Sequence, residues 1–169
     1  MHRPPPAIEP LCQNPAPRVP RWLPATLLDL ATASAGAAEP LVRVEGGIGS
    51  QPLAAAGANR VRGVNPGGVP WVIVRLRADI GVDASISVDG RGLLLAGGNN
   101  VGTAGGQSVR ARLFCAGVPH DSELVALDAR GDFRIQGFVN PFPPSPCNSP
   151  VLLIVSGNGR WFAAGIPRQ

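Results

Sequence analysis

A chain of 169 residues has room for one sizeable domain and little more. Its 22 glycines and 19 prolines, beside 5% aromatic residues and no tyrosine, exclude the composition of a helical enzyme and point to short strands joined by many turns. All 15 basic residues are arginine, as a GC-rich coding bias produces, and from Glu39 onward twelve arginines face nine acids, an excess too small to argue for a nucleic-acid partner.

Residues 1–24 carry eight prolines and no periodicity, which predicts extended, solvated chain. The run LPATLLDLATASAGAAEP follows. It is flanked by Arg18 and Arg21 and ends in the small-x-small triplets Ala33-Ser34-Ala35 and Ala35-Gly36-Ala37, the parts of a secretory signal. Export to the periplasm or the medium is the reading, with a mature chain starting at Gly36 or Ala38. Because Pro24 and Asp29 interrupt the apolar run, an Ala-rich linker helix on a cytoplasmic product is the alternative. No stretch reaches the roughly 18 apolar residues of a membrane span. Cys12 lacks the small preceding residues of a lipoprotein signal. The expected division is therefore a leader over 1–38 and one β domain over 39–169.

From residue 41 the pattern becomes period-two alternation broken by Gly, Pro and Asn. Strands are expected near 41–45, 70–80, 85–89, 92–96, 108–115, 123–128 and 132–138, with 150–166 as a closing hairpin. In WVIVRLRADI, Val72, Val74, Leu76, Ala78 and Ile80 share one face and Arg75, Arg77 and Asp79 the other. SVRARLFC places Val109, Ala111, Leu113 and Cys115 inward, and GDFRIQG does so with Phe133 and Ile135. Asp89-Gly90 and Asn158-Gly159 read as two-residue type I′ hairpin turns, and Arg130-Gly131-Asp132 as a further turn. The expected fold is an all-β, antiparallel Greek-key sandwich of eight or nine strands, immunoglobulin-like or similar.

Two cysteines remain in the domain, Cys115 on a strand and Cys147 in the loop NPFPPSPCNSP. In an exported β domain such a pair is read as a disulfide. A loop rich in proline lacks backbone donors, so a covalent anchor suits it. A buried thiol at Cys115 with an exposed one at Cys147 is the alternative.

The remaining chemistry is sparse. With only His2 and His120, no histidine metal cluster can be assembled in one chain, and neither domain cysteine has a CxxC partner; no metal or cofactor is expected. His120-Asp121-Ser122 has triad residue types, but adjacent side chains diverge where triads converge, so a polar turn is the plainer reading. A hydrolase using His120 with Ser108, Ser122 or an Asp is kept as an alternative, although no G-x-S-x-G elbow is present. AGGNNVGTAGGQS lacks the spacing of a phosphate loop and leads into a strand, so it reads as a long loop. Asp79, Asp83, Asp89, Asp128 and Asp132 lack calcium-loop spacing. Arg75, Arg77, Arg110 and Arg112 would make a basic, anion-binding stripe if their strands were neighbours.

At VRVEGGIGSQPL, PWVIVRLRADI, ISVDGRGLLLAGGN, GGQSVRARLFC and SPCNSPVLLIVSGNGRWFAAGIP the chain resembles a family of small uncharacterised bacterial proteins carrying a signal peptide. The likeness covers residues 41–167. It implies export and a compact β domain, and carries over no activity, ligand or catalytic residue. The expected function is a non-catalytic exported binding or structural module, monomeric or weakly oligomeric, with no assigned partner.

Overall fold

The computed structural model describes residues 40–55 and 58–168, which fall within one compact unit, Gly36–Gln169. The Pro-rich leader, the signal-like run, His2 and Cys12 lie outside the described residues. Among the described residues there are eleven strands and no helix: β1 Val42–Gly49, β2 Trp71–Val72, β3 Arg75–Ile80, β4 Ser85–Arg91, β5 Leu94–Leu95, β6 Ser108–Cys115, β7 Val118–Asp121, β8 Val125–Ala126, β9 Phe133–Phe138, β10 Val151–Ser156 and β11 Trp161–Pro167. No helix among the described residues is long and apolar enough to cross a membrane.

Nine strands form one antiparallel sheet in the order β7-β6-β10-β11-β1-β3-β4-β9, with β8 also on β6; β2 and β5 make a separate ribbon. The ends of this order meet. Asp121, closing β7, and Asn140, just past β9, exchange hydrogen bonds of 2.8 and 2.9 Å, and the Asp128 amide donates to the Asp132 carbonyl at 3.1 Å. The sheet thus curls around one core that draws on β1, β3, β4, β6, β9, β10 and β11. The all-β antiparallel class is as expected. The two layers of a sandwich are met only in the sense that opposite walls of this curled sheet face each other across the core.

Alternation explains the inner wall: Leu76, Ala78 and Ile80 on β3, Ile86 and Val88 on β4, Val109, Ala111, Leu113 and Cys115 on β6, and Phe133 and Ile135 on β9 are all buried. The run VLLIVS of β10 does not alternate because it is buried on both faces. Leu152 and Ile154 enter the main core, while Leu153 and Val155 join Phe114, Trp161 and Val64 in a second cluster on the outside of the sheet. The segment 58–67 covers that cluster. Its Val61 and Val64 pair with each other, Asn59 accepts from Trp161 Nε1 at 3.1 Å, and the Gly67 amide donates to the Trp161 carbonyl at 2.9 Å.

Several local expectations are corrected. The strand expected over 70–80 breaks at Ile73-Val74. Trp71 is buried and stacks on Phe162 at 4.0 Å, whereas Val72 and Val74 face solvent, Val74 with 82% exposure. Asp89-Gly90 is not a turn. β4 runs through it because Gly90 pairs Leu76 on one side and Phe133 on the other, and the chain turns at Gly92 (φ 63°). Phe133 lies over Gly90 so closely that a Cβ there would overlap the edge of its ring. The Asn158-Gly159 turn exists, but as a three-residue loop: Ser156 donates to the Arg160 carbonyl at 2.8 Å and Gly159 alone takes positive φ (74°). Gly131 (φ 74°) turns the chain at Arg130-Gly131-Asp132, yet β8 and β9 pair with different partners, β6 and β4. An unexpected two-residue type I′ hairpin joins β6 to β7 at Ala116-Gly117, both with positive φ (50° and 88°).

Candidate functional site

β6 and β7 carry the expected nucleophile, base and bridge residues, and their register decides where each points. His120 pairs with Leu113 and shares its inward side; it is 2% exposed. Its Nδ1 lies 2.6 Å from the Pro141 carbonyl, which can only accept, so Nδ1 carries a proton. Nε2 is buried with no hydrogen-bond partner. Asp121 points the other way and takes a bidentate pair of bonds from Arg112, both 2.6 Å, with Arg110 at 3.7 Å. The Asp121 bond raises the Arg112 pKa. Ser122 Oγ accepts from the Ala111 amide and donates to the Glu123 carbonyl, each at 3.0 Å. Asp121 lies on the opposite face from His120, and each of the three side chains is engaged by the fold. Ser108, at the start of β6, accepts the Gly157 amide on its carbonyl and is not brought to His120.

Cys115 and Cys147 form a disulfide, with Cα atoms 4.9 Å apart. It pins the Pro-rich loop 139–150 against the hairpin end of β6, where the Ala116 amide also donates to the Asn148 carbonyl at 2.6 Å. Together with the Asp121–Asn140 bridge, the His120 bond and the bond from Arg62 to the Ser149 carbonyl at 3.2 Å, this anchors a donor-poor loop along its length.

The arginine stripe is not assembled as expected. Arg75 and Arg77 lie on β3 and Arg110 and Arg112 on β6, and β10, β11 and β1 stand between those strands. A different cluster takes its place around Asp89, on the outward face of β3, β4 and β9. Arg75, Arg91 and Arg134 all donate to the Asp89 carboxylate at 3.0–3.2 Å. The hydrogen bonds from Arg91 first, then those from Arg134 and Arg75, hold that carboxyl well below the usual carboxylate range against the opposing effect of burial. Asp132 is lowered likewise, by the Gly92 amide first and then Arg91. The signal that could have found this cluster is the parity of SISVDGR, in which Ser87, Asp89 and Arg91 share the outward face once Gly90 is counted as an inward position. The Asp-Gly dipeptide, a strong turn cue, masks it.

The other described aspartates are similarly occupied. Asp79 pairs with Arg43, Asp83 caps the Ser85 amide and hydroxyl, and Asp128 Oδ1 accepts the amides of Arg130 and Asp132. The Ser85 bonds lower the Asp83 pKa. Among the described residues no group of three potential metal ligands comes together. The Gly-rich segment 96–107 is a loop between β5 and β6, held by hydrogen bonds between Leu95 and both Gly102 and Thr103. It borders an open depression of about 610 Å³ whose far rim is Leu127, Asp128 and Ala129. A carboxylate on that rim does not suit a phosphate. In the Arg130-Gly131-Asp132 turn, the Asp132 carboxylate is tied to Arg91 and the Gly92 amide. No protein-family model matches this chain, and no curated protein or solved structure shows a significant similarity to it.

Proposed function

We propose that the chain is an exported bacterial protein whose β domain is a non-catalytic binding or structural module, displayed in the periplasm or outside the cell. The observation that carries this reading is the fate of His120, Asp121 and Ser122. Each side chain is consumed by a structural partner, Pro141, Arg112 and the Ala111 amide respectively, and Nε2 of His120 is sealed from solvent. A general base must reach the proton it abstracts, and a sealed imidazole bonded to a backbone carbonyl does not. The Cys115–Cys147 bridge supports the compartment, since structural disulfides persist where the medium is oxidising.

N-terminal sequencing of the product from its native host tests the compartment. The expected first residue is Gly36 or Ala38; a product retained from Met1 in the cytoplasm overturns export. Hydrolysis of ester, amide or glycoside substrates by the purified protein, abolished in His120→Gln, would overturn the non-catalytic reading.

A further inference from the structure

The Asp89 cluster is a carboxylate roofed by guanidiniums. Asp89 Oδ1 accepts from Arg75 at 3.0 Å and Arg91 at 3.1 Å, and Oδ2 from Arg91 at 3.2 Å and Arg134 at 3.1 Å. The Asp89 side chain is 23% exposed, whereas those of Arg75, Arg91 and Arg134 are 49%, 42% and 62% exposed. The acid therefore lies beneath its cations, and the surface met by solvent is positive. Arg77 adds to it. In register it stands opposite Asp89 on β4 and opposite Glu45 on β1. It is joined to neither, because Asp89 is saturated by the other three arginines and Glu45 is bonded to Arg168.

A guanidinium offers five N–H donors in a planar fork. Arg75 and Arg134 each commit one to Asp89, and Arg77 commits none. With strands about 4.8 Å apart and a rise of about 3.3 Å per residue, Arg134 and Arg77 stand roughly 10 Å apart across β9, β4 and β3, and Arg75 and Arg77 about 7 Å apart along β3. Next to this patch the outward face also carries Asp79, which stands opposite Ser87 in register and is paired with Arg43 at 2.8 Å. Gln136 and Phe138 follow Arg134 on the exposed side of β9, and Ser87, exposed on β4, pairs with Gln136 in register. Oxyanion-binding forks thus adjoin an amide and a hydroxyl that can bond sugar hydroxyls, and an aromatic face on which a sugar ring can lie.

We propose that this face, Arg75, Arg77 and Arg134 with Gln136 and Phe138, binds an acidic polysaccharide through its carboxylate or sulfate groups. The proposal rests on the exported, non-catalytic reading and names the ligand class for it. Nucleic acid fits less well: only Phe138 among the described aromatic residues shares this face, and single-strand binders stack successive bases on several.

The test is binding of the purified full chain to heparin, to polygalacturonate and to duplex DNA, measured by titration calorimetry between 50 and 200 mM salt. Wild type should bind a glycan more tightly than DNA; preference for heparin or polygalacturonate assigns sulfate or carboxylate as the group bound. Arg77→Gln/Arg134→Gln should weaken glycan binding at least tenfold and reduce the slope of log K against log salt by about two. The charge-matched pair Arg62→Gln/Arg110→Gln, elsewhere on the surface, should change affinity less than twofold. Should the double variant unfold, Arg77→Gln alone, which removes no internal bond, should still reduce the slope by about one. Absence of glycan binding, tighter binding to DNA, or equal losses in the two variant pairs would each overturn the proposal. Compartment is read separately, on the N-terminus of the native product, so failure of the binding test leaves the export result standing.

Discussion

At the scale of single residues, three positions set local energetics in ways that composition hides. Ala116 holds a left-handed φ of 50° at the first central position of the type I′ turn between β6 and β7, where an L residue with a Cβ is strained and Asn is well tolerated. Ala116→Asn should raise stability by about 0.5–1 kcal/mol, read as a shift in urea midpoint at unchanged m-value. Gly90 has the opposite requirement, since the Phe133 ring occupies the space of its missing side chain. Gly90→Ala should cost about 1–3 kcal/mol through overpacking. Asp89 sets an acid limb. Its pKa is depressed in the fold, so its contribution is complete above the unfolded value of about 3.9 and is lost as pH falls below that. Denaturation midpoints should drop between about pH 4 and pH 2 in the wild type. Asp89→Asn should be less stable at neutral pH and show a flatter acid limb. A variant curve parallel to the wild type would remove Asp89 from that role.

At the scale of elements, β10 is the strand whose pattern and environment agree least with a two-faced sheet. Its outward residues Leu153 and Val155 are as buried as its inward ones because segment 58–67 folds over them and seats Trp161. Leu153→Ala should therefore cost about 2–5 kcal/mol, comparable to Leu152→Ala on the inner side. A cost below about 0.5 kcal/mol, as for a surface residue, would show that the covering segment is not a stable layer. The seam between β9 and the β7–β8 edge differs in kind. It is joined at Asp121–Asn140 and Asp128–Asp132 and has no ladder pairing between those points. Amides on the seam side of 133–138 should exchange faster than those of β10, which is paired on both edges.

At the scale of the whole molecule, one covalent bond ties the sheet to its most proline-rich described loop. The Cys115–Cys147 bridge spans 32 positions and encloses β7, β8 and β9, including the seam. In the chain-entropy model a loop of this size is stabilised by about 3–4 kcal/mol. Cys115→Ala/Cys147→Ala should lose an amount of that order and speed exchange at the seam before it affects β10 and β11. Thiol titration of the denatured, unreduced full chain should find one reactive cysteine, Cys12; three would refute the bridge.

The sequence by itself determined the class of the fold, the inward faces of β3, β6 and β9, the closing hairpin and the partnership of the two cysteines. These follow from alternation, turn chemistry and the lack of donors in a proline-rich loop, which are local properties. What tertiary structure alone decided is which strands are neighbours. That choice ruled out the arginine stripe that neighbouring strands would have made, since three strands stand between β3 and β6, and it carried β4 straight through Asp89-Gly90 because Phe133, distant in sequence, fills the glycine's place. It also gathered Arg75, Arg91 and Arg134 around one carboxylate from residues up to 59 positions apart, with Arg77 left over beside them. The free energy of such pairings comes from contacts between segments whose spacing along the chain carries no periodic signal, so it can be read only once the sheet order is known.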